Sequence, residues 1–530
     1  MENSLVKRTV VLHPFFFAIY AVIGVYSSNS IEIPIQWVFR PTIVLLILTV
    51  GLFLILQKKF VDNQRAALVT TLVLFWLFFG HIHRFLSEKS VFWITPIGTL
   101  SALLLWTIPL ALLGSRWAWS KITNRRFITS FLNATSIVAV LLPGYVTGRA
   151  LIETMWWSSV YQNQRSTDVP IILQPQAVQP DIYLIILDAY GREDFLKEVY
   201  GFDNQEFTNY LAQKGFYVAD QSSPNYPMTW FSLSSLLNMK YLDEYAQALK
   251  NTKAHGPIYD RVQHSDVRWL LQEAGYQFVA LPSATFFTQM RDADTYYKMT
   301  LTDINEFEGL LLSSTIANLG MDAWNLDVPV PSYSLHRRYI QYSLETLKEI
   351  PDLDGPKFVF VHFMAPHPPF VLDEFGNAVQ PDRPYNMGDT VGFTGTPEEY
   401  TTGYIGEVRF LNHQLMSVID AIIAQSAQPP IIILQGDHGP GNYFNLSVPK
   451  NSCMKERYAI LNAYYFPDGN YDSLYPSITP VNSFRVILNQ FFGADLELLE
   501  DRNYYSTWSA PYDYMDVTDQ SQTCQLELNN

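Results

Sequence analysis

Long apolar windows crowd the first 150 residues of the chain and thin out beyond them. Five windows, at about 10–26, 42–56, 67–79, 97–113 and 127–146, predict helices able to cross a hydrocarbon layer of roughly 30 Å, the second and third with help from their flanks. The pattern then changes. Short apolar runs at 182–187, 358–363 and 431–434 predict strands. Helical periodicity marks about 204–214, 229–238, 265–274, 334–348, 402–425 and 481–491. Strands alternating with helices predict an α/β domain with a mainly parallel central sheet, covered on both faces. Residues 166–179, rich in proline and glutamine, read as a connector. The expected division is therefore a transmembrane domain of about five helices at 1–150, a linker at 151–180 and the α/β domain at 181–530.

Charge gives this plan a direction. Lys7, Arg8, Lys58, Lys59, Arg65, Arg116, Lys121, Arg125 and Arg126 flank the windows on one side, against Arg40, Arg84 and Lys89 on the other. The richer side is expected in the cytoplasm, and an odd number of crossings then leaves everything after about Ala150 outside. A cleaved signal peptide is the rival for the first window, but four more windows follow and no small-residue cleavage site stands out. The exported part carries 22 basic and 46 acidic residues, a formal charge of −24, which argues against a nucleic-acid partner. Both cysteines, Cys453 and Cys524, fall there, either paired in an oxidising compartment or as separate thiols.

The predicted strands end in polar residues, where open α/β sheets bind ligands. Asp188 closes the first run, as a metal ligand or as the cap of the following turn. Asp437 and His438, in IIILQGDHGPGN, are a stronger signal. Carboxylate and imidazole both suit zinc or manganese, and the flanking Gly436 and Gly439 free the backbone to bring neighbouring side chains to one ion. Thr229 opens a predicted helix after Pro227. It is a nucleophile if a cation favours its alkoxide, and otherwise a cap to which Ser232 bonds back. His362 and His367, in VFVHFMAPHPPF, can each meet a substrate oxygen, His367 being favoured by its proline frame. Arg192 and Asn412 are further candidates for substrate binding, with a local ion pair and helix packing as their plain alternatives.

Together, ILDAY around Asp188, the Thr-x-x-Ser of Thr229 to Ser232, APHPPF around His367 and GDHG around Asp437 and His438 resemble the alkaline phosphatase and sulfatase superfamily. The likeness is to its membrane-anchored branch of lipoteichoic acid synthases and phosphoethanolamine transferases. It implies one divalent ion, zinc or manganese, on Asp188, Thr229, Asp437 and His438, with Thr229 attacking and His367 near the transferred or leaving group. A second ion stays open, because the full two-metal set is not evident. Formylglycine chemistry is not expected: Met228, Thr229, Trp230 and Phe231 stand where that chemistry needs cysteine or serine followed by proline and arginine. The resemblance implies transfer of a phosphoethanolamine or phosphoglycerol head group from a phospholipid to a lipid, glycan or polymer acceptor, by a bacterial multi-pass plasma-membrane protein with its catalytic domain outside the cytoplasm. The alternatives are a phosphodiesterase using the same threonine and a non-catalytic scaffold that keeps a structural ion.

Overall fold

The computed structural model describes residues 10–30, 33–79, 107–108, 110–161, 171, 173–174, 179–250, 252–253, 255–299, 304–316, 331–383 and 385–524. The chain forms two compact units, Met1–Gln162 with Thr302–Pro331, and Asn163–Leu301 with Ser332–Asn530.

In the first unit, helices His13–Ser28, Phe39–Phe60, Asn63–Leu77 and Arg125–Tyr161 take up four of the five apolar windows. Most of the fourth window, 97–106 and 109, lies outside the described residues. Among the described residues, two stretches, Ile35–Phe60 and Arg125–Glu153, are long and apolar enough to span a membrane. The sequence predicts five such spans. Their apolar side chains face outward: Ile47, Leu48 and Ile55 on one, Val138, Leu141 and Leu142 on the other, are each at least 63% exposed. That suits lipid better than water.

Aromatic side chains close the inside of this unit, with Phe17 edge-on to Phe75 at 4.9 Å. The helix Glu306–Ser313 joins the same core through Phe307 and Leu311, and its Glu308 pairs with Arg40. Residues 302–331 thus interrupt the stretch expected to run unbroken from 181 to 530. The helix to Tyr161 likewise carries helical structure into the expected linker, of which 162–170, 172 and 175–178 lie outside the described residues.

The second unit is built on a seven-stranded sheet. Its strands are β1 Ile182–Leu187, β2 Tyr217–Val218, β3 Gln277–Ala280, β4 Thr295–Tyr296, β5 Lys357–Phe363, β6 Ile431–Gly436 and β7 Asn462–Tyr465, in spatial order β2-β7-β6-β1-β5-β3-β4. Pairing is parallel from β6 through β4 and antiparallel at β7. Every residue of β1, β5 and β6 is buried, which is why these strands read as nearly continuous apolar runs. At the amino end of the sheet, Lys357 Nζ meets Asp181 Oδ2 at 2.7 Å. At the other end the register sets Leu187 beside both Phe363 and Gly436, so the segments leaving β1, β5 and β6 emerge together.

Cys453 and Cys524 form a disulfide across 71 residues of sequence, with Lys455 N donating to Thr523 O beside it (2.9 Å). Closing so long a loop restricts the unfolded chain, so the double change of Cys453 and Cys524 to serine is expected to lower stability by about 2–4 kcal/mol. Denaturant unfolding of oxidised protein against the variant measures this.

Candidate active site

Asp188 follows the last residue of β1, and its backbone N–H donates to Phe363 O (2.9 Å), tying the first strand end to β5. The next residue, Ala189, has a positive φ of 65°. Tyr404 OH steadies this turn, donating to Ala189 O (2.8 Å) and accepting from Gly191 N (2.9 Å). Asp437 and His438 follow β6. Gly439 is required there, since a Cβ would stand 1.9 Å from Glu456 O; at Gly436 it would meet Tyr190 O at 2.5 Å.

Thr229 is the first residue of the helix Thr229–Asn238, behind an extended Met228, and its side chain does not cap. Ser232 Oγ donates to Asp437 O (2.7 Å), so Ser232 ties the helix to the strand end and does not bond back to Thr229. At a helix start the N–H groups of Thr229 and Trp230 have no intrahelical acceptor.

These elements bring four side chains together. Thr229 Oγ1 lies 3.1 Å from His438 Nε2 and 3.4 Å from Asp188 Oδ2. His438 Nε2 is 3.5 Å from Asp188 Oδ1 and 3.4 Å from Asp437 Oδ2. One donor atom from each of Asp188, Asp437 and His438 falls within 4.8 Å of the others, in a buried setting. Asp437 Oδ1 accepts from Ala189 N and His438 N, whereas Asp437 Oδ2 and Asp188 Oδ1 have no hydrogen-bond partner. Burial and the Arg457 charge hold His438 below the ordinary histidine range, favouring the neutral, ligating imidazole. Burial pushes the Asp188 carboxyl up, but His367 and His362 outweigh it and hold the group below the ordinary carboxylate range. Two orphaned, buried carboxylate oxygens beside a neutral imidazole nitrogen fit a divalent cation.

The remaining candidates are placed differently. His367 is 8% exposed, its ring centroid 6.5 Å from that of His438. Its Nδ1 lies 2.6 Å from Pro368 O, which can only accept, so Nδ1 carries a proton and Nε2 is left for other work. His362 is 1% exposed, with Nε2 3.2 Å from Asp188 Oδ2 and Nδ1 3.0 Å from Thr288 Oγ1, which sets it behind Asp188. Arg192 is spent on Asp194, Ser222 O and Gln522. Asn412 bonds Tyr190 OH (2.5 Å) and Asn204 (2.7 Å). Neither residue is brought to the Asp188 cluster.

Sequence reasoning missed Arg457 and Asp389. Arg457 Nη2 lies 3.1 Å from His438 Nε2, and Nη1 donates to Asp389 Oδ2 at 2.6 Å. The basic side chain in MKERY just ahead of β7 was the only available signal.

The segment after His367 hangs on Glu407, whose Oε1 accepts from Val371 N (2.5 Å) and Leu372 N (3.1 Å) while Oε2 has no partner. Burial pushes this carboxyl from 4.5 up to about 8. The folded protein therefore holds a proton here that the unfolded chain has released, and stability falls as pH rises between those values. Glu407→Gln keeps the acceptor and removes the titration. Thermal unfolding at pH 5, 7 and 9 is expected to show the wild type losing about 1 kcal/mol per pH unit relative to the variant inside that window.

The Sulfatase family model matches residues 180–485. The chain belongs to the sulfatase family. No curated protein sequence matches it. Among solved structures, this sulfatase-family chain is similar to the C-terminal periplasmic domain of EptC from Escherichia coli, at 13% identity over 66% of this chain and 98% of that one, with a TM-score of 0.43. It is similar at 12% identity to the corresponding domain of phosphoethanolamine transferase EptC from Campylobacter jejuni, over 61% and 92% of the two chains, with a TM-score of 0.38. It is also similar to the integral membrane protein lipooligosaccharide phosphoethanolamine transferase A from Neisseria meningitidis, at 12% identity over 90% and 95%, with a TM-score of 0.40. All three are distant likenesses, and membership rests on the family model.

Proposed function

We propose that this sulfatase-family chain is a membrane-anchored phosphotransferase. It moves a phospholipid head-group phosphate, of phosphoethanolamine or phosphoglycerol type, through a phosphothreonine on Thr229. The observation that carries the reading is the position of Thr229 Oγ1, at a helix start and within 3.4 Å of both Asp188 and His438. Asp188, Thr229, Asp437 and His438 would hold a single divalent cation, zinc or manganese, and its positive charge would favour loss of the Thr229 proton.

With the Thr229 proton already given up to solvent, Oγ1 bonds to phosphorus as the bond from phosphorus to the diacylglycerol oxygen breaks, and His367, protonated on Nε2 as well as Nδ1, gives the Nε2 proton to that oxygen. The N–H groups of Thr229 and Trp230 receive a non-bridging oxygen. In the second half His367 Nε2 takes the proton of an acceptor hydroxyl as its oxygen attacks phosphorus, the bond from phosphorus to Thr229 Oγ1 breaks, and Oγ1 leaves as it began, without a proton. The acceptor is a lipid, glycan or polymer. Water as acceptor gives the phosphodiesterase outcome from the same residues.

The membrane anchor lies within 1–150 and is multi-pass, tethering a catalytic part that lies within 181–530 to the surface where a lipid donor resides. The disulfide and the distribution of lysine and arginine both favour an extracytoplasmic catalytic unit, in a bacterial plasma membrane.

Mass spectrometry of the detergent-purified chain, loaded with zinc or manganese and given a panel of phospholipids, tests this. A head-group phosphate on the Thr229 peptide with release of diacylglycerol is expected, and candidate acceptors against water then separate transferase from hydrolase. Metal-bound, folded protein with no adduct and no lipid turnover would leave the scaffold reading standing.

A further inference from the structure

The Arg457 guanidinium enters the active site with one edge only. Its Nε donates to Pro227 O (2.7 Å), and its Nη1 donates to both Asp389 Oδ2 (2.6 Å) and Gly439 O (2.9 Å). Both side chains of the pair are buried, Arg457 at 4% exposure and Asp389 at 8%. The fork is therefore clamped on two of its three nitrogens. The third, Nη2, points at His438 Nε2, 3.1 Å away, and that same nitrogen lies 3.1 Å from Thr229 Oγ1.

His438 cannot satisfy every group that approaches it. Its Nδ1 lies 3.0 Å from Gly439 O, an acceptor only, so Nδ1 carries the proton and Nε2 offers a single lone pair. Arg457 Nη2 donates to that lone pair, while the Thr229 hydroxyl, 3.1 Å away, has a single proton to give, to it or to Asp188 Oδ2 at 3.4 Å. A cation ligated by His438 uses it instead. Arg457 Nη2 is then a charged donor without an acceptor, buried, and next to the hydroxyl assigned as nucleophile. Leaving such a donor unmet is expensive, and the substrate's own phosphoryl oxygen is the acceptor that would meet it.

We infer that Arg457 donates through Nη2 to a non-bridging oxygen of the tetrahedral oxyanion under attack, with Asp389 as the residue that positions it. The inference rests on the phosphoryl-transfer reading and adds to it the group that recognises the anion. One free edge selects one oxygen, and the three anchors make the planar fork necessary. A lysine carries the charge but cannot hold Pro227 O, Gly439 O and Asp389 while still reaching the site.

The test uses the full-length, zinc-loaded protein in detergent, with inorganic phosphate and orthovanadate as probes read by titration calorimetry. Zinc affinity is measured separately by competition with a chromogenic chelator. Arg457→Lys is expected to weaken orthovanadate binding by about 10-fold or more while zinc affinity stays within about 3-fold, because a hydrogen bond to a charged group is lost and no ligand is. The KM for the lipid donor rises with it.

Should Arg457→Lys fail to fold, Asp389→Asn carries the test, since it leaves the guanidinium in place and loosens one anchor. Its expected loss of orthovanadate affinity is smaller, about 3-fold, in the same direction. Variants that bind orthovanadate as tightly as the wild type overturn the inference and leave the phosphoryl-transfer reading intact. A parallel loss of zinc also overturns it, reducing Arg457 to a support for His438. If zinc-loaded wild type binds neither probe, the inference and the reading beneath it fall together.

Discussion

Thr229→Ala is expected to lower turnover of a phosphodiester substrate by about 10³-fold or more while leaving the protein folded and close to wild-type stability. The two halves of this expectation come from different features of one residue. Thr229 occupies the first helical position, Met228 is the N-cap, and no side chain caps this helix, so alanine removes no cap and favours the helix. The hydroxyl, in contrast, is the only oxygen nucleophile sharing hydrogen-bond distance with His438 Nε2 and Asp188 Oδ2 among the described contacts.

A threonine that served as a cap would show the reverse result, a stability loss of about 0.5–2 kcal/mol with turnover largely retained. Thr229→Ser separates the cases further. It keeps the hydroxyl, so it should keep a measurable fraction of turnover and carry the head-group phosphate on Ser, read as a mass shift of the 229 peptide. Persistence of wild-type turnover in Thr229→Ala would falsify the covalent mechanism outright.

The strand ends were legible because burial on both faces demands uniformly apolar runs, so the polar residues that interrupt such runs stand out. Ile182–Leu187 ends where Asp188 begins, and β6 extends two residues past the expected Leu434 to include Gln435 and Gly436. The helix Thr229–Asn238 was legible from proline, threonine and periodicity together. Short strands were not: β3 has four residues and β2 and β4 two each, too few to establish a period.

Residues that act through tertiary contact left less trace. Asn412 lies on the buried face of its helix, but one face can look onto several neighbours, and Tyr190 and Asn204 are the ones it meets. Arg457 and Asp389 lie 68 residues apart with no motif linking them, and only the fold brings them to His438. The glycines of GDHG serve close packing and not an unusual backbone conformation: neither has a positive φ, and the Tyr190 and Glu456 carbonyls leave no room for a Cβ.

The second large effect is expected at Asp437, and its sign depends on whether a cation is present. Asp188 and Asp437 are each 1% exposed, and each has an oxygen without a hydrogen-bond partner. Without a cation, two buried carboxylates face one another across His438 and destabilise the fold. Asp437→Asn keeps an acceptor for Ala189 N and His438 N and replaces the orphaned Oδ2 by an amide that can donate toward Asp188. In chelator the variant should therefore unfold at the same temperature as the wild type or above it.

Adding zinc or manganese reverses the order. The wild type should gain about 2.7 kcal/mol at a free metal concentration 100 times its Kd, whereas the variant, short of one anionic ligand, should gain little until the metal is raised by about 100-fold. A pair of melting curves for each protein, in chelator and in metal, reads both halves. If Asp437 only shapes the turn, the asparagine variant responds to metal as the wild type does. If no divalent ion shifts the wild type, neither the catalytic site nor the structural-ion scaffold survives. The crossing of the two proteins' stabilities, measured without any substrate, is the outcome that only a metal ligand produces.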